Sequence, residues 1–139
     1  MTLERIKAIK SVREEISELK RLEESLTSPL LPNYGEIPKV LEAFTAVTGE
    51  SCAGSSWNAV GHRKKFVFVA AFIFAPGMLL GDSMPKRLRT ALSNALGIKA
   101  MSAISNNWAD ALFYYRQYRA FREEIEEVTD KVISYLNVG

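Results

Sequence analysis

The sequence predicts an all-α fold of about five helices, with a central helix-turn-helix and a long amphipathic helix at each end. Three observations carry this. Apolar residues recur at three-four spacing along most of the chain. Gly and Pro mostly fall between those periodic stretches, where helices stop and start. The composition, 47% apolar and 24% charged over 139 residues, suits one globular core.

Residues 2–27 hold neither Gly nor Pro, and Ile9, Val12, Ile16, Leu19 and Leu26 form an apolar stripe broadened by Leu3, Ile6 and Leu22. Glu23 interrupts that seam, and the other face alternates Lys/Arg with Glu. An isolated helix is marginal in water, so the stripe calls for a partner, in the same chain or in another copy. Residues 1–28 are accordingly expected to form a packing or dimerisation helix, and 36–139 a helical domain. Between them, Pro29 and Pro32 forbid helix continuation and mark a linker. A helix over about 36–48 would bury Ile37, Val40, Leu41, Phe44 and Val47, with Gly49 as its C-terminal cap. Residues 50–60 are small and polar and are expected to form a loop, with Trp57 plugging into the core.

Residues 62–74 are apolar on nearly every face. The alternation of aromatic and β-branched residues allows a strand, but Ala70, Ala71 and the helical surroundings favour a buried central helix. The apolar run ends at Leu80 and is broken by Pro76-Gly77, short of the roughly twenty residues a membrane span needs. Asp82-Ser83-Met84-Pro85 signals a helix start, and the helix to about Ala95 turns Leu88, Ala91, Leu92 and Ala95 inward before Gly97 ends it. Ser102 is then expected to cap one long helix running through Trp108, Tyr115, Tyr118, Ile125 and Val132 to Leu136, free to pair with residues 2–27.

Charge is unevenly spread. Residues 61–122 hold ten Lys and Arg against two acids, whereas the whole chain has a net charge of only +2. Arg63, Lys64 and Lys65 open one expected helix, Lys86, Arg87 and Arg89 the next, and Lys99 lies before a third. Phosphate affinity comes from basic side chains and helix N-termini presented together. Other chemistry is poorly served. Cys52 and His62 are single copies, which excludes an internal disulfide and leaves no cysteine or histidine cluster for a metal or a triad. Glu123, Glu124, Glu126 and Glu127 have the spacing of a solvated helix face. No catalytic residue, metal, cofactor, small-molecule substrate or membrane is therefore expected. The early charges from Glu4 onward do not fit a secretory leader, so the default expectation is a cytoplasmic protein.

The stretch 85–107 reads as helix, tight turn, helix. In a helix-turn-helix the second helix enters the major groove and its first residues reach base edges. Here these are Lys99, Met101, Ser102, Ser105 and Asn106; Asn can bond adenine bidentately, Ser can bond several bases, and Met can touch a thymine methyl. Arg63, Lys64, Lys65, Lys86, Arg87 and Arg89 would hold phosphates.

Residues 36–108 also resemble the C-terminal DNA-binding domain of the bacterial replication initiator DnaA. The resemblance rests on Ile37, Val40 and Phe44, then a loop, then Arg63-Lys64-Lys65 before an apolar helix, Met84-Pro85, and the turn Gly97-Ile98-Lys99-Ala100-Met101-Ser102-Ala103-Ile104. It implies a Trp-repressor-like helix-turn-helix, with Lys99 in the basic recognition role, Ser102 as a hydroxyl contact and residues 63–65 on phosphates. Where the family has Asp, His and Thr, this chain has Ala100, Met101 and Ala103, so the family's usual DNA box does not carry over. No Walker-type loop accompanies the domain. The expectation is a double-stranded DNA-binding protein, sequence-specific or architectural, serving a phage or mobile element as a small regulator or accessory replication factor. A homodimer through the terminal helices would fit it. The competing expectation is a helical interaction or phage assembly adaptor that uses those termini and Tyr114, Tyr115, Tyr118 and Phe121 without touching nucleic acid.

Overall fold

In the computed structural model, which describes residues 2–54 and 56–138, the chain forms six α-helices. They are α1 (Thr2–Leu26), α2 (Ile37–Thr48), α3 (Trp57–Phe74), α4 (Lys86–Leu96), α5 (Met101–Gln117) and α6 (Arg119–Leu136), with short 3-10 turns at Tyr34–Glu36 and Pro76–Leu80. None of the helices is long and apolar enough to cross a membrane.

The centre is α3. Ser56 Oγ accepts the Ala59 backbone N–H at 3.2 Å and starts the helix. From Phe66 to Phe74 every residue except Phe72 is buried. A helix apolar all round must be enclosed, and α2, α4, α5 and α6 all pack around this one. Phe66 meets Phe44 of α2 at 5.6 Å between ring centres, and Phe68 lies between Trp108 (5.9 Å) and Tyr115 (4.9 Å) of α5. Each fully buried side chain of this size contributes about 1.5–3 kcal/mol over its exposed state. Pro76 ends α3, and the linker crosses back there: Leu30 N–H donates to Ile73 C=O at 2.9 Å.

Helices α2 and α4 stop where the sequence says they should. Gly49 (φ 70°) and Gly97 (φ 68°) adopt the left-handed conformation that ends a helix without a Cβ clash. Three expectations need correction. Trp57 does not plug the core: Ser56 makes it the first residue of α3, Ala59 takes the inward position, and Trp57 is 89% exposed. Ser102 caps nothing; α5 begins at Met101, with Ala100 as its N-cap and no side-chain cap bond. The long C-terminal helix breaks at Tyr118 (φ −118°, ψ 114°). There Arg122 folds back, its Nε donating to Tyr115 C=O at 3.0 Å and its Nη2 to Arg116 C=O at 3.2 Å. These bonds occupy carbonyls orphaned at the end of α5. Helix α6 then lies on α2, burying Ile125, Thr129 and Val132.

The terminal helices therefore do not pair within the chain. No residue of α1 is buried. Its apolar stripe faces solvent, from 46% exposure at Ile16 to 73% at Leu26.

Candidate nucleic-acid interface

Helices α4 and α5 are joined by four residues, Gly97–Ala100. Ile98 N–H donates to Ser93 C=O at 3.0 Å, and Ser93 Oγ donates to Ile98 C=O, so the turn is fastened to the last turn of α4. Leu88 and Leu92 of α4 and Ile104 and Ala111 of α5 are fully buried beneath it. A helix-turn-helix needs this connection length and a shared core. Arg89 Nη1 lies 3.5 Å from Ser105 Oγ, which sets the second turn of α5 alongside the first turn of α4.

On the outer surface, Lys99, Met101, Ser102 and Asn106 are exposed and Ser105 is half-buried. Asn107, next to the candidate readers, turns inward and is buried. Lys86 and Arg87 are exposed at the start of α4. Among the described residues, no carboxylate lies within ion-pair distance of Lys86, Arg87, Arg89 or Lys99. Neither α4 nor α5 has a side-chain cap; in α5 the Ala103 N–H is taken by Ala100 C=O at 3.1 Å, whereas the amides of Lys86, Arg87 and Leu88 at the start of α4 have no side-chain partner among the described residues. Arg89 differs: it is half-buried against Ser105 and its Nε is buried without a partner. Its first task is to hold the two helices together.

Residues 63–65 were expected to extend this cationic face, and they do not. Arg63 Nη1 donates to Cys52 C=O at 2.9 Å and to Gly54 C=O, pinning the loop before α3. Lys64 Nζ is 3.2 Å from Asp110 Oδ2, and Lys65 Nζ is 2.7 Å from Glu124 Oε1. All three charges are engaged by groups of their own fold. Of the basic residues singled out in the sequence, Lys86, Arg87 and Lys99 are consequently the exposed ones without a carboxylate partner among the described residues, and Arg89 is half-buried.

The other polar groups singled out in the sequence have structural partners. His62 Nε2 lies 3.4 Å from Glu50 Oε2. Burial pushes the Cys52 thiol up to about 11, against a smaller opposing pull from Arg63. Burial, then the hydrogen bond with Glu126, raises Tyr115, whose hydroxyl is 3.0 Å from Glu126 Oε1. Glu123 pairs with Arg119 and Glu127 with Lys131.

A second surface brings Tyr114, Tyr118 and Phe121, three of the aromatics named for the adaptor reading, together with Trp57 and Phe113, which were not. Trp57, Val60, Gly61, Lys64, Lys65, Tyr114 and Phe121 line a depression of about 270 Å³. Beside it the ring of Tyr114 packs against Phe113 (6.2 Å), Tyr118 (5.8 Å) and Phe121 (5.7 Å). Phe113 and Tyr118 are more than half exposed. Tyr115, by contrast, is taken up by Phe68 and Arg122 inside the fold. Comparison with protein-family models, curated proteins and solved structures finds no match for this chain.

Proposed function

We propose that the protein binds double-stranded DNA, with the first two turns of α5 in the major groove and the first turn of α4 on the phosphate backbone. The observation that carries this reading is the Arg89–Ser105 contact. It ties the start of α4, where Lys86 and Arg87 are exposed without carboxylate partners among the described residues, to the start of α5, where Met101, Ser102 and Asn106 are exposed. Lys86 and Arg87 would neutralise phosphates beside the open amides of α4. Asn106 would pair both edges of its amide with adenine, Ser102 would donate or accept as the base requires, Met101 would cover a thymine methyl, and Lys99 would reach guanine or a phosphate. Such a module would serve a phage or mobile element as a small regulator or accessory replication factor.

Anisotropy titrations of labelled duplexes at several salt concentrations test it. Replacing Lys86 and Arg87 with Ala should weaken binding to every sequence and shallow the log K against log salt slope by roughly two. An unchanged curve would remove the role assigned to α4.

The aromatic surface favours a second reading, that of a protein-interaction module. Trp57, Phe113 and Tyr118 are large, rigid and exposed, the kind of side chain that anchors interfaces. In that case DNA affinity would be absent, and Trp57→Ala would abolish partner capture.

A further inference from the structure

We infer that α1 pairs in parallel with α1 of a second copy as a two-stranded coiled coil, making the protein a homodimer. This does not rest on the DNA reading. The stripe on α1 has a seven-residue frame: Ile9, Ile16 and Glu23 occupy the a positions, and Val12, Leu19 and Leu26 the d positions. Isoleucine at a with leucine at d is the combination that favours two parallel strands. All five apolar seam residues are at least 46% exposed, with Leu19 and Leu26 bordering a groove shared with Phe72 of α3.

The flanking charges select a second copy and its direction. In a parallel pair each g position faces the e position five residues further along the partner, so Glu15 of one copy meets Lys20 of the other, twice by symmetry. In an antiparallel pair e would face e, and Arg13 and Lys20, both at e, would repel. The frame puts Thr2 at a and Arg5 at d, so the apolar seam begins at Ile9, and within it Glu23 is the one polar residue at a. Placed against its own copy it costs stability and fixes the register. A helix of 25 residues spans about 37 Å. Pairing it with a copy, with Ile6 and Leu22 on the flanks, would remove on the order of 1,200–1,400 Å² from water, the lower range of stable interfaces. The apolar surface continues past the seam. Leu19, Leu22 and Leu26 line, with Phe72, Pro76, Leu79 and Leu80, a groove of about 440 Å³ where α1 meets the body.

Sedimentation equilibrium of the full chain tests the pairing. The wild type should be a dimer at micromolar concentration. Leu19→Glu should weaken association on the order of a hundredfold, because it buries a charge in the seam. Glu23→Ile should strengthen it at least about tenfold. Near-UV circular dichroism should stay unchanged in both variants, since position 19 and position 23 lie outside the buried core. Direction is read separately: Thr2→Cys in a Cys52→Ser background should oxidise to a disulfide-linked dimer only if the strands are parallel. A monomeric wild type at tens of micromolar, a Leu19→Glu variant that still dimerises, or a Thr2→Cys variant that dimerises without cross-linking would each overturn the inference. DNA titrations of Leu19→Glu keep this outcome apart from the fate of the proposed function.

Discussion

Lys64 Nζ sits 3.2 Å from Asp110 Oδ2 and 5.6 Å from the centre of the Tyr114 ring, so this ammonium bridges α3 to α5. The Lys65–Glu124 pair does the same between α3 and α6. A basic cluster that looks free in the sequence is spent on holding three helices in place, and that division of labour can be measured.

Replacing Lys64 and Lys65 with Ala should leave the salt slope of any DNA binding unchanged. It should lower stability by about 1 kcal/mol or less per pair, because the carboxylate partners are half exposed and screened. Anisotropy and urea unfolding read the two effects separately. A salt slope that shallowed as much as in the Lys86/Arg87 variant would return residues 64 and 65 to the phosphate-binding face.

Arg122 is predicted to hold the corner between α5 and α6. Arg122→Ala frees two carbonyls at the end of α5 and should cost about 1–2 kcal/mol in urea melts. Arg122→Lys should recover little of this, since an ammonium lacks the planar fork that reaches both oxygens. Full rescue by Lys would show that charge alone matters there.

Cys52 should be chemically quiet in the folded protein. A thiol pushed up to about 11 holds roughly a thousandth of its population as thiolate at pH 8, and the side chain is buried. Alkylation should be slow under native conditions and fast in urea. The raised value also fixes a sign: the folded state favours the thiol. The stability this provides is intact below about 9 and is lost as pH rises through about 11. Rapid native labelling would contradict the burial.

Gly97→Ala should cost about 1 kcal/mol from backbone strain alone, since the residue sits at φ 68° and an added Cβ meets no atom within 4 Å. DNA affinity should fall with it if the turn sets the angle of α5, which circular dichroism melts and anisotropy together would resolve.

Helices α2 and α4 were legible because their stop signals are local: Gly49 and Gly97 act within one turn of the residues they end. The central burial of α3 was legible too, since no polar face interrupts Phe66 to Phe74. The break at Tyr118 was not, because no Gly or Pro lies between residues 98 and 138 and the apolar repeat runs straight through. Its causes are tertiary, namely Arg122 reaching back to α5 and α2 offering α6 a face. The engagement of Lys64 and Lys65 was hidden for the same reason: Asp110 and Glu124 lie far along the chain. Trp57 was different. Ser56, three residues before Ala59, is a helix-start signal that the glycine- and serine-rich surroundings obscured.

The central claim, that the start of α5 reads DNA while the start of α4 grips phosphate, is tested most directly by backbone amide chemical shifts recorded while a duplex is added. Perturbations should concentrate at residues 86–90 and 99–106, fade with salt, and leave residues 63–65 still. Shifts confined to Trp57, Phe113 and Tyr118, or none at all, would contradict it.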